Sequence, residues 1–213
     1  MMKRAAFIVL LILVVGCGPS IAASDAETVP PQGQKSNASE VIVPVFGKGK
    51  IDVWLYSNYF CEWCKMGPDF DRMLTELVHN NVITITFIDV PISRFASPLY
   101  ARYFFYSLKH RMEFDQAMRV RKALYDAAWA AIKDESKLES YLTQQGIAVT
   151  KFDTTSSLKN LNQYKKYLRE QNNGKTIVPA CAILNGSERK ISVGASYVIR
   201  AFSAIAEDTK RQD

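Results

Sequence analysis

Ligands for metals and footprints for nucleic acids are scarce in this chain of 213 residues. It has two histidines, His79 and His110, and four cysteines, Cys17, Cys61, Cys64 and Cys181. Only Cys61 and Cys64 stand at CxxC spacing, and neither histidine is near them in sequence, so a zinc knuckle lacks its other ligands. No dense run of lysine and arginine occurs. The formal charge of +6, two units of which come from Lys3 and Arg4, therefore reads as a mildly basic surface and gives nucleic-acid binding little support. No internal repeat is visible. The apolar run Ala5 to Val15 is too short for a comfortable membrane span. What the chain does have is a hydrophobic content of 48%, enough to build the core of one domain of ordinary size.

The N-terminus carries the address. Lys3 and Arg4 followed by Ala5 to Val15 form a signal peptide, read here as residues 1–23. Two cleavage readings compete. Val14-Val15-Gly16-Cys17 resembles a bacterial lipobox, in which Cys17 is lipidated and becomes the mature N-terminus. Pro19 followed by Ile21-Ala22-Ala23 resembles an ordinary small-residue cleavage site. Either reading exports the domain to a periplasmic or other extracytoplasmic space, where disulfide chemistry is permitted. Residues 18–39, rich in Ser, Ala, Pro, Gly and Gln, read as a flexible linker. A lipidated Cys17 makes that linker a tether to the membrane.

Residues 40–213 read as one folded domain. Val41 to Phe46 and Ile51 to Tyr56 have strand pattern. A helix is expected from Cys61 to Asn80, because Phe70, Met73, Leu74 and Leu77 recur on one face, with a kink at Pro68, which has no N–H to donate. Val82 to Asp89 is a β-branched strand. From about 97 to 172 the pattern is helical throughout, with Gly146 and the Thr154 to Ser157 cluster as interruptions. Strand pattern returns at Ala180 to Leu184 and Lys190 to Val193, joined by the turn signal Asn185-Gly186. Tyr197 to Ala206 closes the chain as an amphipathic helix.

Chemistry concentrates at Cys61-Glu62-Trp63-Cys64, which follows a predicted strand and opens a predicted helix. A helix N-terminus offers unsatisfied N–H groups and partial positive charge, and both favour a thiolate at Cys61. The spacing lets Cys64 close a disulfide with Cys61 or resolve a mixed one, which makes Cys61 the nucleophile and Cys64 the resolving thiol. Glu62 puts negative charge beside Cys61 and should make the disulfide less oxidising, with Lys65 offsetting part of that field. Trp63 offers an exposed apolar surface to an extended polypeptide. A second element, Thr176-Ile177-Val178-Pro179-Ala180, begins a strand after the helical block.

The order strand, CxxC, helix, strand, helical insertion, Val-Pro, hairpin and helix resembles the DsbA-like branch of the thioredoxin superfamily. The Asp89-Val90-Pro91-Ile92 stretch before the helical block is similar to the family's as well. The resemblance spans nearly all of Val41 to Ala206. It implies an α/β thioredoxin-like fold with a helical insertion and protein thiol–disulfide oxidoreductase activity. It also implies a cis Pro179 beside the disulfide, with Val178 pairing its backbone with substrate. The dithiol is itself the redox centre, so no external cofactor is implied. The expected partners are cysteine-containing client proteins and a membrane or soluble redox partner. Two positions depart from the pattern: Leu55 stands where many members carry a buried acid, and Ile177 where a glycine is common.

Other readings use the same residues. Cys61 and Cys64, with Cys181 or Met66, could serve a copper- or zinc-handling module, since sulfur suits Cu(I). The fold could also be a non-catalytic binding domain. Cys181 lies two positions after Pro179 and is either a small buried hydrophobe or a third redox thiol. The aromatic groups Tyr56 to Phe60 and Tyr103 to Tyr106 read as core, and Arg119, Arg121 and Lys122 as a wet helix face.

Overall fold

The computed structural model describes residues 43–91 and 97–211. Their centre is a five-stranded sheet in the order β1-β3-β2-β4-β5, formed by β1 (Val45–Gly47), β2 (Ile51–Ser57), β3 (Ile83–Asp89), β4 (Ala180–Asn185) and β5 (Glu188–Val193). Strands β2 and β3 are parallel and the other pairings antiparallel. A parallel pair needs a crossover, and α1 (Pro68–His79) supplies it. Four helices stand between β3 and β4: α2 (Ser97–Leu108), α3 (Phe114–Trp129), α4 (Glu135–Gln144) and α5 (Thr155–Gln171). Helix α6 (Ala195–Lys210) follows β5. Among the described residues no helix is long and apolar enough to cross a membrane.

The alternation of β2 divides the core. Leu55 faces Phe70 and Leu74 of α1 together with Arg121 and Tyr125 of α3. Trp54 faces the other way, its ring 4.9 Å from that of Tyr164 and 5.2 Å from that of Tyr167 on α5. Helix α6 joins the α1 side, where Phe202 meets Phe70 at 5.1 Å. Tyr56, Tyr59, Tyr103, Phe104 and Phe105 are buried, as their aromatic clustering predicts.

The expected helix over Cys61–Asn80 is shorter and differently begun. Residues Glu62–Cys64 make a single 3-10 turn, and α1 starts afresh at Pro68. Gly67 adopts φ 92°, a conformation that other residues rarely accept, and Pro68 occupies the first helical position, where its missing N–H is not needed. A break therefore replaces the expected kink. The hairpin turn also sits one residue later than read, since Asn185 pairs with Glu188 and leaves Gly186-Ser187 at the tip. Val41 and Ile42 of the first expected strand, like Cys17 and the expected signal peptide and linker, lie outside the described residues.

Candidate functional site

The C-terminal end of β2 delivers the motif. Asn58 follows the strand directly and is fully buried. Its amide donates to Val90 O at 2.7 Å and to Ser97 Oγ at the start of α2, and its Oδ1 accepts from the Phe60 N–H at 2.8 Å. Its backbone oxygen accepts from the Cys61 N–H at 3.1 Å. One asparagine thus fixes the loop before Cys61 to the end of β3 and to the helical insertion.

Cys61 is half-buried and Cys64 is 3% exposed. The Cys64 N–H donates to Cys61 O at 3.1 Å, which places both residues on the one 3-10 turn. Burial, and then hydrogen bonding with the Cys61 thiol, pushes the Cys64 thiol well above the ordinary thiol range. One sulfur is accessible and the other is screened behind it. The donor environment of Cys61 differs from the expected one. It caps a turn of three residues and does not begin α1, so the axial charge of that longer helix starts at Pro68.

Val178–Pro179 arrives from the far end of the chain. The Cys61 Sγ lies 3.7 Å from Val178 O, and the Val178–Pro179 peptide is cis, as the resemblance implies. Pro179 is buried, and its carbonyl accepts from the Gly194 N–H at 2.7 Å, which ties this segment to the start of α6. Trp63 is 71% exposed, and Ile177 and Tyr197 are also exposed apolar side chains. Glu62 is exposed. Lys65 does not turn toward it: its Nζ is 2.8 Å from Asp126 Oδ1 and sits over the Trp129 ring at 4.9 Å. The expected offset of the Glu62 charge by Lys65 is correspondingly weakened.

Cys181 is fully buried and pairs with Leu55, so it faces the α1 side of the sheet. Burial pushes its thiol up to about 12 against a hydrogen bond with Ser192. Among the described residues no three His, Cys, Asp or Glu side chains come together as a ligand set, so Cys61, Cys64 and Cys181 do not form a three-sulfur centre.

Of the three α3 charges expected on a wet face, Arg119 and Lys122 are exposed and Arg121 is not. Arg119 donates to Gln145 O at 2.6 Å and Lys122 pairs with Asp126 at 2.7 Å. Arg121 is buried, with its guanidinium 4.1 Å from the centre of the Phe87 ring. It faces inward because Phe114, Ala117, Arg121, Leu124 and Ala128 recur at spacings of three and four along one buried stripe. That periodicity is the signal in the sequence that places Arg121 inside. Asp89 has one too: Ile85, Phe87 and Asp89 alternate onto one face of β3. Its carboxyl is buried, and neither oxygen has a hydrogen-bond partner. Asn58, placed just after a strand and two residues before Phe60, carries the weaker mark of an Asx turn.

Comparison with known proteins places the architecture. No protein-family model and no curated protein matches the chain. Solved structures do. A periplasmic thioredoxin-like protein from Salmonella enterica serovar Typhimurium superposes with a TM-score of 0.56 at 18% identity, covering 78% of this chain and 88% of that one. DsbA2 from Pseudomonas aeruginosa gives 0.52 at 14%, covering 81% and 98%. MdbA, a thiol-disulfide oxidoreductase from Corynebacterium matruchotii, gives 0.51 at 14%, covering 64% and 76%. The fold is thus the thioredoxin type with a helical insertion between β3 and β4. Within that class it is DsbA-like.

Proposed function

We propose that the chain is an extracytoplasmic thiol–disulfide oxidoreductase that exchanges disulfides with cysteine-containing client proteins through Cys61 and Cys64. The observation that carries this is the arrangement of an accessible Cys61 beside Val178 O with a buried Cys64 on the same turn behind it. In the reducing direction the Cys61 thiolate attacks a client disulfide. The Cys61–client bond forms and the second client sulfur leaves as a thiolate. Cys64 then attacks Cys61, the mixed disulfide breaks, and the Cys61–Cys64 bond forms. Two electrons pass from the dithiol to the client, and the reverse sequence oxidises it. The backbone of Val178 beside the cis Pro179 aligns the client chain, and Trp63 gives it an apolar surface. The fold shared with oxidoreductases and the short leader before a polar linker support export, with a membrane or soluble redox partner and, if Cys17 is lipidated, attachment to the membrane.

Two measurements test this. In the reduced protein near neutral pH, alkylation followed by peptide mapping should label Cys61 first. The Cys64→Ala variant should accumulate Cys61–client mixed disulfides, because the resolving sulfur is gone. Preferential labelling of Cys64 or Cys181, or no mixed disulfide in that variant, overturns the assignment. Equilibration of the Cys61–Cys64 couple against glutathione then decides between an oxidase and a reductase.

A further inference from the structure

The burial that screens Cys64 from outside reagents also opposes its ionisation, and the resolving attack needs its thiolate. Position 55, beneath the motif on β2, is a leucine and offers no acid or base there. A buried fixed charge comes from the helical insertion instead. Arg121 of α3 is 7% exposed. Its guanidinium donates to Ser57 Oγ at 3.3 and 3.4 Å and to Tyr125 Oη at 3.5 Å, and its face rests on Phe87. Arg121 and Cys64 line one cavity of about 40 Å³ between α1 and α3, shared with Tyr125 and Asp71. A guanidinium keeps its proton at any ordinary pH, so this is a permanent positive charge on one wall of the cavity that Cys64 lines. Buried charges are poorly screened by salt.

We propose that Arg121 is a positioning residue for the exchange reaction, holding a buried positive charge that stabilises the Cys64 thiolate, with Asp89 as the counter-charge that moderates it. The proposal rests on the exchange reading above. In the resolving step Cys64 gives its proton to water, for which the cavity has room. Its thiolate attacks Cys61 Sγ, the Cys61–client bond breaks, the Cys61–Cys64 bond forms, and the released client thiolate takes a proton from solvent. The client disulfide is the oxidant, so electrons balance within the pair. The groups that bear on Arg121 are Tyr59 from the motif loop, Asp71 from α1, Asp89 from β3 and Tyr125 from α3. Lys65 and Lys122 complete the charged wall of the cavity. Asp89 ends the strand next to Ser57, its register partner, and is the one of these groups whose carboxylate oxygens are buried without a hydrogen-bond partner. Asp89 ionises near pH 8, below the range in which Cys64 titrates, and from there on its charge subtracts from the field of Arg121.

The test is the pH profile of Cys64 alkylation, read by peptide mapping in the full mature chain carrying Cys61→Ser. Arg121→Met should raise the midpoint by about one pH unit, a tenfold loss of rate on the acid side. Arg121→Lys should recover part of that loss. Asp89→Asn should move the midpoint the opposite way, to lower pH. Loosened packing that merely exposes Cys64 would drive both variants in the same direction, so the opposed signs isolate charge from structure. An unmoved midpoint in Arg121→Met, or parallel shifts in Arg121→Met and Asp89→Asn, overturns the proposal. Alongside, the unsubstituted protein is equilibrated with glutathione. If Cys61 and Cys64 form no disulfide there, the exchange reading itself fails. If they do and the midpoints stay put, only the role of Arg121 fails.

Discussion

Replacing Asp89 by asparagine should stabilise the protein, and by an amount that depends on pH. Burial pushes the Asp89 carboxyl up to about 8 from an ordinary 3.8, against the opposing pull of Arg121. The folded state therefore holds this proton to higher pH than the unfolded chain does. Below about pH 4 the carboxyl is neutral in both states and carries no penalty. As pH rises the unfolded chain releases the proton first, so stability falls continuously until the folded carboxyl also ionises near pH 8. At about 1.4 kcal/mol per pH unit, the cost reaches about 4 kcal/mol at pH 7. That is a large share of a domain stability of about 5–15 kcal/mol. Asparagine keeps the shape and cannot ionise, so Asp89→Asn removes the penalty. The assay is denaturant unfolding of both reduced proteins, followed by the fluorescence of buried Trp54, at intervals from pH 4 to pH 8. The difference in unfolding free energy should be small at pH 4 and widen to about 4 kcal/mol at pH 7 in favour of the variant. A difference that stays flat with pH refutes the reasoning. A variant that loses stability as pH rises would mean that Arg121 holds Asp89 as a carboxylate and that the pair is a buried ion pair.

Two further outcomes bear on poise and address. Glu62→Gln removes a negative charge beside Cys61 and should raise the reduction potential of the couple by no more than about 30 mV, or about 1.4 kcal/mol, because water and salt weaken a surface charge. Equilibration against glutathione at two salt concentrations checks it, with the gap narrowing at the higher one; an equal or lower potential would show that Glu62 does not set the poise. If the lipobox is used, mature protein should partition with membranes and Cys17→Ser should block processing or release the protein, whereas an unmodified N-terminus near Ser24 would establish ordinary secretion.

The parts of the fold that could be read from the sequence are those written in short-range periodicity. Strands β2 and β3 fall within a residue of their expected ends because their β-branched runs have one solution. The start of α1 was not legible in the same way. The apolar stripe Phe70, Leu74, Leu77 fixes which face is buried and is silent on where the helix begins. That was decided by Gly67 and Pro68, which together end one backbone conformation and begin another. The cysteines, Trp63, Val178 and Pro179 could be named because their order along the chain is itself a pattern. Their meeting across 117 residues, Cys61 Sγ against Val178 O, is a product of β2 and β4 lying side by side.

The buried charges behind the motif follow a different logic. Leucine at position 55 makes the centre of the α1 face apolar, and Phe87, its partner on β3, continues that row. The row ends one step further along, where Ser57 pairs with Asp89. A carboxyl at that place is under pressure to stay neutral or to find a cation, and the cations of the sheet itself, Arg189 and Lys190, stand on β5, with β2 and β4 between it and β3. The cation has to come from an element laid over the sheet, and α3 brings one because Arg121 sits where its periodicity calls for an apolar residue. Each substitution for the expected pattern is ordinary alone: a leucine for an acid, an aspartate at a strand end, an arginine on a buried stripe. Folded together they move the polar load from beneath Cys61 to one side of Cys64. That relocation makes the helical insertion part of the electrostatics of the dithiol as well as its cover.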